Sequence, residues 1–386
     1  MAFVRRNQEF LTAAEKKQYS QAILGMKRLG LYDKYVVQHS EISYYGHGGP
    51  SFLPWHREFL RRFEKDLLFV DPMVTLLYWD WSTDNTSIWS DELMGGNGRS
   101  GDHKVTSGPF AFDNGAWPCL TIDIAQNYLT REFGVHAQNL PTTSDVTACL
   151  AATPYDTDPW DRTSSRSFRN GLEGWITPYI HNRVHEWVGG HMRPLSSPND
   201  PVFFLHHANT DRLWAEWQYR HPDLTFEPQS GGPSGQNAAD SMDPWGPPTT
   251  IASVLDHQDL DYLYDTEKPP AQGDRMLPGD TLTAGQFLVS HNGRYTFMYG
   301  EDGNLVLFET ARPQTVLWRS GTGVKPTGVC IMQEDGNLVV YDPADRVIWQ
   351  SGTSGNRGSR LYLLARGGIG IYRLNQTEVW AQPPVG

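Results

Sequence analysis

Cysteine is scarce in this chain: three residues in 386, too few for a disulfide scaffold or a four-cysteine zinc module. Long apolar runs are missing as well. No stretch approaches the roughly 18 uncharged apolar residues that a membrane helix requires, so no membrane span is expected. The opening MAFVRRNQEFLTAAEKK lacks the apolar core and small-residue cleavage site of a secretory leader. The expectation from that opening is a cytoplasmic protein, or one exported by a route not encoded in this chain. Positive charge is in deficit too, with 32 Lys+Arg against 44 Asp+Glu and a net charge of −12. Phosphate binding needs a basic face, and nucleic acid is therefore excluded as a partner.

Aromatic and imidazole groups are plentiful. Phe, Trp and Tyr make up 12% of the chain, with 14 Trp, and there are 13 His. Charge is unevenly spread: residues 273–386 carry ten basic and ten acidic side chains, so the whole acidic excess lies in the first 272. The hydrophobic pattern divides at the same place, which predicts two domains, 1–272 and 273–386. In the first, helical spacing dominates. Thr12 and Glu15 form a capping box, and Gly30 sits where a C-cap glycine belongs. A second helix runs from Tyr32 to about Glu41. A third begins at Pro54, a residue suited to a first turn, and places Trp55, Phe59, Phe63 and Leu67 at four-residue intervals. Residues 83–170 are rich in Gly, Ser, Asn, Asp and Pro and read as long loops. Helix returns over 180–188 and 203–220, and 227–272 reads as irregular packing and a linker.

After residue 273 short alternating strands repeat. GEDGNLVLF (300–308) is echoed by QEDGNLVVY (333–341), and VLWRSGT (316–322) by VIWQSGT (347–353); LARGGIGIY (364–372) and EVW (378–380) form a weaker third copy. A unit of about 31 residues that cannot bury its own face must stack with its siblings, and Asp-Gly between alternating strands predicts hairpins. This part resembles the bulb-type mannose-binding lectins, whose sugar motif is Gln-x-Asp-x-Asn-x-Val-x-Tyr. Gln333, Asp335, Asn337, Val339 and Tyr341 reproduce that motif. The resemblance implies an all-β β-prism of three four-stranded sheets. It also implies a mannose-type glycan as partner, held by Gln333, Asp335, Asn337 and Tyr341. A purely structural prism is the competing reading. The first copy has Gly300 and Phe308 at the motif's ends, and the third keeps only Tyr372.

Six histidines of the first domain fall into two groups. His39, His47 and His56 span two predicted helices and the loop between them. His181 and His185 are four apart, on one helix face, and His207 follows at the end of PVFFLHH. Imidazole suits Zn, Cu, Fe and Ni, whereas Mg or Ca would want carboxylates. No H-E-x-x-H string is present, which argues against a zinc protease. Three imidazoles per metal, twice, meet the requirement of a coupled pair of copper ions that cycle between Cu(I) and Cu(II).

The strings SFLPWHREFLRRFE (51–64), IHNRVHEWVGG (180–190) and SPNDPVFFLHHANTDRLWAEWQ (197–218) resemble the copper-binding regions of bacterial-type tyrosinases, a similarity that runs from about residue 3 to 265. It implies a mainly α domain, an antiparallel four-helix bundle with long loops around two copper ions. By motif, His39, His47 and His56 would hold one ion and His181, His185 and His207 the other; His206 is not a ligand in this family. The implied activity is ortho-hydroxylation of monophenols and oxidation of o-diphenols to o-quinones with O2. A copper-delivery chaperone is a further implied partner. Phe59 and Phe203, each one turn from a ligand, would pack on the imidazoles, and Asp211 would orient an imidazole N–H.

A phenol of pKa about 10 costs roughly 4 kcal/mol to ionise at pH 7, and a nearby base removes much of that. In the family a Glu and an Asn hold a water that does so; Glu173 and Asn182 occupy those places. The substrate entrance would be lined by Arg193, Pro194 and Leu195, with His191 nearby, and Arg193 would attract a carboxylated phenol. The lectin-like domain would bind glycans or shield the active site. Competing readings are a catechol or o-aminophenol oxidase without monophenolase activity, and a non-catalytic O2-binding or carbohydrate-binding protein.

Overall fold

A computed structural model of the chain describes residues 3–84, 86–115, 117–260, 262–267, 273–290, 294–310, 312–323, 326–364, 366–375 and 377–383. It contains two compact units, Ala2–Asp265 and Thr266–Gly386. The expected boundary at residue 272 lies outside the described residues.

The first unit is built on helices. In chain order they are α1 (Ala13–Arg28), α2 (Asp33–Glu41), α3 (Ser43–Gly46), α4 (Phe52–Val70), α5 (Phe112–Gly115), α6 (Thr143–Leu150), α7 (Phe168–Glu173), α8 (His181–Val188) and α9 (Val202–Arg220). The expected box starts α1: Thr12 Oγ1 accepts from the Glu15 N–H while Glu15 accepts from the Thr12 N–H at 2.8 Å. Gly30 ends the turn at φ +69°, a backbone region open to glycine at no steric cost. Helix α4 starts at Phe52, two residues before Pro54, so the proline still lies in the first turn, where no N–H is needed. Helix α6 was read as loop. Its eight residues, TSDVTACL, are too few to show a period, yet Thr142 and Asp145 cap it and Cys149 and Leu150 bury it.

The core lies between α4 and α9. Phe59 stacks on Phe204 at 6.0 Å and 8°, and Tyr35 of α2 meets Phe59 and Phe63 edge-on at 5.3 and 5.2 Å. Such offset and edge contacts are the favoured aromatic geometries. Strand β1 (Phe3–Arg5) pairs in parallel with β2 (Tyr262–Tyr264), which joins the two ends of the unit. A buried ionic knot fastens this pair to the helices. Asp211 of α9 accepts from Arg57 Nε at 2.6 Å, from Arg5 Nη1 at 3.2 Å, from Tyr264 at 2.7 Å and from Tyr262. Arg5 also donates twice to Glu64 of α4. Burial alone would raise the Asp211 carboxyl, but Arg57, Arg5 and the two hydroxyls hold it below its ordinary value. Asp211 therefore does not orient an imidazole, as the sequence suggested; its lone pairs are committed to cations and phenols.

Among the described residues the second unit holds three four-stranded antiparallel sheets. Its strands are β3 (Arg275–Met276), β4 (Thr281–Thr283), β5 (Phe287–Val289), β6 (Tyr295–Tyr299), β7 (Leu305–Glu309), β8 (Arg312–Arg319), β9 (Val329–Met332), β10 (Leu338–Tyr341), β11 (Val347–Gln350), β12 (Arg360–Leu364), β13 (Gly368–Tyr372) and β14 (Glu378–Gln382). The sheets run β5-β6-β7-β8, β11-β10-β9-β4 and β14-β13-β12-β3. The repeat is visible in detail. Register shifts fall at Leu307/Phe308, Val340/Tyr341 and Ile371/Tyr372. Each sheet sends one tryptophan to a shared cluster, Trp318, Trp349 and Trp380, with centroids 5.8 to 6.0 Å apart.

Removing one partner from a buried ion cluster leaves the others uncompensated. Asp211→Asn is expected to lower the unfolding free energy of the chain by about 3–5 kcal/mol, measured by denaturant titration of the tryptophan fluorescence. An unchanged midpoint would show that the knot carries no stability.

Candidate metal centre

Four of the six histidines have Nδ1 fixed on an oxygen. His39 Nδ1 meets the Leu195 carbonyl, His56 Nδ1 the Phe52 carbonyl at 2.8 Å, and His185 Nδ1 the Met192 carbonyl. His181 Nδ1 meets the Glu173 carbonyl at 3.2 Å and Asn182 Oδ1 at 3.0 Å. A carbonyl only accepts, so Nδ1 carries the hydrogen and Nε2 keeps a bare lone pair. Those lone pairs converge. The Nε2 atoms of His181, His185 and His207 form a triangle with sides of 3.1, 3.1 and 3.3 Å. His39 and His56 bring theirs to 3.4 Å, and a ligating nitrogen of His47 lies within 4.8 Å of both.

Five of the six rings are also held away from the charged form. Burial, and then the neighbouring imidazoles, hold His39, His56, His181 and His207 well below the ordinary histidine value, and burial pushes His185 down to about 4. Lone pairs at such distances repel one another unless a cation stands among them. Nitrogens each about 2.0 Å from one ion at tetrahedral angles lie about 3.3 Å apart. The triangle has that spacing, so the donor set fits a transition-metal ion that prefers imidazole. The two groups adjoin: His56 stacks on His207 at 4.3 Å and 19°. His206 joins the second group by distance. Trp81 Nε1–H donates to its Nδ1 at 3.1 Å, however, which leaves Nε2 protonated, a donor and not a ligand.

Aromatic rings hold the imidazoles in place. Phe203 stacks on His207 at 4.1 Å and meets His39 edge-on at 4.9 Å, while Phe59 reaches His39 alone, at 6.0 Å. Phe52 was not foreseen. It lies 4.9 Å from both His56 and His181, touching both groups, and its place one turn before His56 was the available signal. Glu173 ends α7 and is fully buried. Its Oε1 accepts from the Gly48 N–H at 2.6 Å and its Oε2 from Arg169 Nη1 at 3.0 Å; Arg169 in turn grips Asp156. Burial pushes the Glu173 carboxyl up, and Arg169 opposes that rise. Arg169, four residues before Glu173 on one helix face, was also missed.

The expected entrance divides. Leu195 lines a cleft of about 740 Å³ with His47, Trp160, Arg162, Pro233 and Gln236. Arg193 and Pro194 line a different cleft, of about 480 Å³, beside Glu132 and Glu186. Arg193 is paired there with Glu186 at 2.9 Å, away from the residues that line the His47 cleft. His191 is wholly buried and accepts from Thr130.

In the second unit the sugar-motif atoms are partly consumed by the fold. Asn337 donates to Gln350 and its Oδ1 accepts from Ser351 and the Thr353 N–H. Asp335 accepts from the Asn337 N–H and from Ser354. Gln333 Nε2 donates to the Tyr341 hydroxyl at 2.8 Å.

The family model for the common central domain of tyrosinase matches residues 29–220. The chain is 46% identical to a tyrosinase of Streptomyces glaucescens over 275 residues, 68% of this chain and 99% of that protein. Among solved structures, a polyphenol oxidase from Thermothelomyces thermophila is 23% identical, covers 68% of this chain and 88% of its own, and superposes with a TM-score of 0.54, a likeness of fold. A mannose-specific agglutinin from snowdrop (Galanthus nivalis) bulbs is 34% identical over 29% of this chain and 98% of its own, with a TM-score of 0.24.

A ligand that binds only the folded state stabilises it, by about 2.7 kcal/mol at one hundred times its dissociation constant. Copper is expected to raise the melting temperature of the full chain, and His207→Ala to remove much of that gain. Equal gains in both proteins would detach the triangle from metal binding.

Proposed function

The chain belongs to the tyrosinase family and is a copper oxidase of that type. From that membership we propose that two copper ions bind, one to His39, His47 and His56 and one to His181, His185 and His207. We further propose that the enzyme hydroxylates monophenols ortho to the hydroxyl and oxidises o-diphenols to o-quinones. The observation that carries this reading is the convergence of uncharged Nε2 atoms at 3.1–3.3 Å. When bound, copper supplies O2 activation and the electron transfer that oxidises the ring. The helical framework reads as the family's four-helix bundle, drawn from α2, α4, α8 and α9.

The protein's own part is to admit the phenol, hold the imidazoles and take a proton. Phe52 and Phe203 wall the histidines with hydrocarbon and keep water off their faces. Glu173 is the base, acting on the phenolic O–H through a water shared with Asn182. The carboxylate oxygens accept from Gly48 and Arg169 and have lone-pair capacity left. The Asn182 Oδ1 is taken by His181, and its amide nitrogen has no protein partner among the described residues. A raised carboxyl is the better base for a phenol, because the driving force for proton transfer grows with its pKa. Arg169 and Gly48 fix its direction.

For the second unit we read the three sheets as a β-prism and residues 333–341, the turn after β9 together with β10, as a site for a mannose-type glycan. Binding, not structure, would then rest on Gln333 and Tyr341, since the fold already uses Asn337 and Asp335. A copper-delivery chaperone completes the expected partners.

Glu173→Gln is expected to cut monophenol turnover about 100-fold while copper content and catechol oxidation fall far less. Equal loss on both substrates would remove Glu173 as the base. On a glycan array, Gln333→Ala should abolish mannose binding at an unchanged melting temperature; retained binding would discard residues 333–341 as the sugar site.

A further inference from the structure

The cleft over His47 contains a cation that the sequence did not single out. Arg162 lies beside Gly48, the residue after His47, so closely that a Cβ built on Gly48 would stand 2.8 Å from Arg162 Nε. Its guanidinium also lies over the Trp175 ring, 4.1 Å from the centroid. Such stacking leaves the N–H edge of the fork free for an anion. No carboxylate pairs with Arg162 among the described residues. Asp161, in the same cleft, turns its Oδ1 onto the Thr163 N–H and hydroxyl, both at 2.7 Å.

The loop that carries Arg162 is stiff. The Arg162 carbonyl accepts from Asn170 at 3.1 Å, Ser164 bonds back to Thr157, and the Trp160 N–H meets the Thr157 carbonyl at 3.0 Å. Trp160 itself sits at φ +62°, an uncommon conformation for a bulky residue and one that persists when the surroundings enforce it. The result is an aromatic wall and a fixed cation at the mouth of one cleft, with Leu195 and Pro233 as further apolar lining.

We infer that Arg162 selects phenols that carry a carboxylate on the side chain para to the hydroxyl, by holding that carboxylate while the ring enters beside Trp160 and His47. This rests on the reading of the His47 cleft as the phenol entrance. It moves charge recognition from Arg193, which lines another cleft beside Glu186, to a different loop. Arg162 is a specificity residue and takes no part in proton or electron transfer.

The test uses two ligands that cannot be hydroxylated as phenols, 3-phenylpropionate and its neutral counterpart 3-phenylpropanol, titrated calorimetrically into the copper-loaded full chain. The wild type should bind the anion about tenfold more tightly, the scale of one charge-assisted bond at a wet site. Arg162→Gln should abolish that preference, Arg162→Lys should keep part of it, and Arg193→Gln should leave it intact. In about 0.5 M salt the wild-type preference should shrink, because exposed charges are screened; this arm stands even if Arg162→Gln does not fold. A wild-type preference below about twofold, one insensitive to salt, or one lost in Arg193→Gln instead, overturns the inference. Turnover of p-cresol by the same preparation separates the two claims. Without it, an Arg162-dependent preference leaves the aryl-acid site standing and the phenol oxidase reading refuted; with it, a missing preference refutes the specificity role alone.

Discussion

The centre depends on a commitment made at the far side of each ring. Because His39, His56, His181 and His185 give their Nδ1–H to fixed oxygens, their Nε2 lone pairs have no choice of direction and no proton to soften their approach. An imidazole free to change tautomer would relieve the crowding by donating to its neighbour. Here the acceptors are main-chain carbonyls, apart from the Asn182 side chain, and cannot donate in return. Burial then removes the remaining escape, protonation, by making the charged ring costly. What is left is a set of donors whose only favourable partner is a cation.

Those acceptors explain why so much irregular chain surrounds the histidine-bearing helices. Phe52 is one turn before His56 on α4, a bond any helix supplies. The Leu195 and Met192 carbonyls, by contrast, come from the segment after α8, whose single 3-10 turns at Gly190–Met192 and Ser197–Asn199 are too short to stand alone and must be held from outside. Arg131 does this: its buried guanidinium donates to both oxygens of the Asp200 carboxylate and to the carbonyls of Met94, Gly95 and Gly96. Gly190 lets the segment pass where a Cβ would stand 2.2 Å from the Thr130 carbonyl. Arg169 plays the same part for Glu173. The long loops are thus a frame tied by buried guanidinium groups, each satisfied by several acceptors, which is how a buried charge is tolerated.

What could be read in advance follows from which interactions are local in sequence. Capping at Thr12, the four-residue spacing of Trp55, Phe59 and Phe63, and the His181/His185 pair are all set within one or two turns, and the helices appeared where those patterns placed them. The six histidines were legible because metal-type donors recur at recognisable intervals. Asp211 and Arg193 were misread for the opposite reason. Each was judged from chain neighbours, four residues from His207 in one case and two from Leu195 in the other. The partners that decide their roles lie elsewhere: Arg5 and Tyr262 are about 200 and 50 positions from Asp211, and Glu186 faces Arg193 across a turn. Arg162 escaped notice because an arginine in a polar loop carries no pattern at all until the loop is folded over Gly48.

The repeats of the second unit show how a motif can be divided between folding and recognition. Two copies build one strap with the same parts. In the first, Thr322 donates to the Gly303 carbonyl, Ser320 accepts from the Leu305 N–H, and Asn304 accepts from the Gly323 N–H. In the second, Thr353 and Ser351 repeat the first two bonds on Gly336 and Leu338, and Asn337 accepts one residue earlier, from the Thr353 N–H. Asp and Asn recur in both because the turn needs them, so their presence says little about a ligand. Gln333 and Tyr341 are different. Gly300 and Phe308 replace them in the first copy, and the strap forms there without them. Residues that one repeat can discard while its backbone stays the same are not required by the fold, and it is at those positions that recognition chemistry is free to be written.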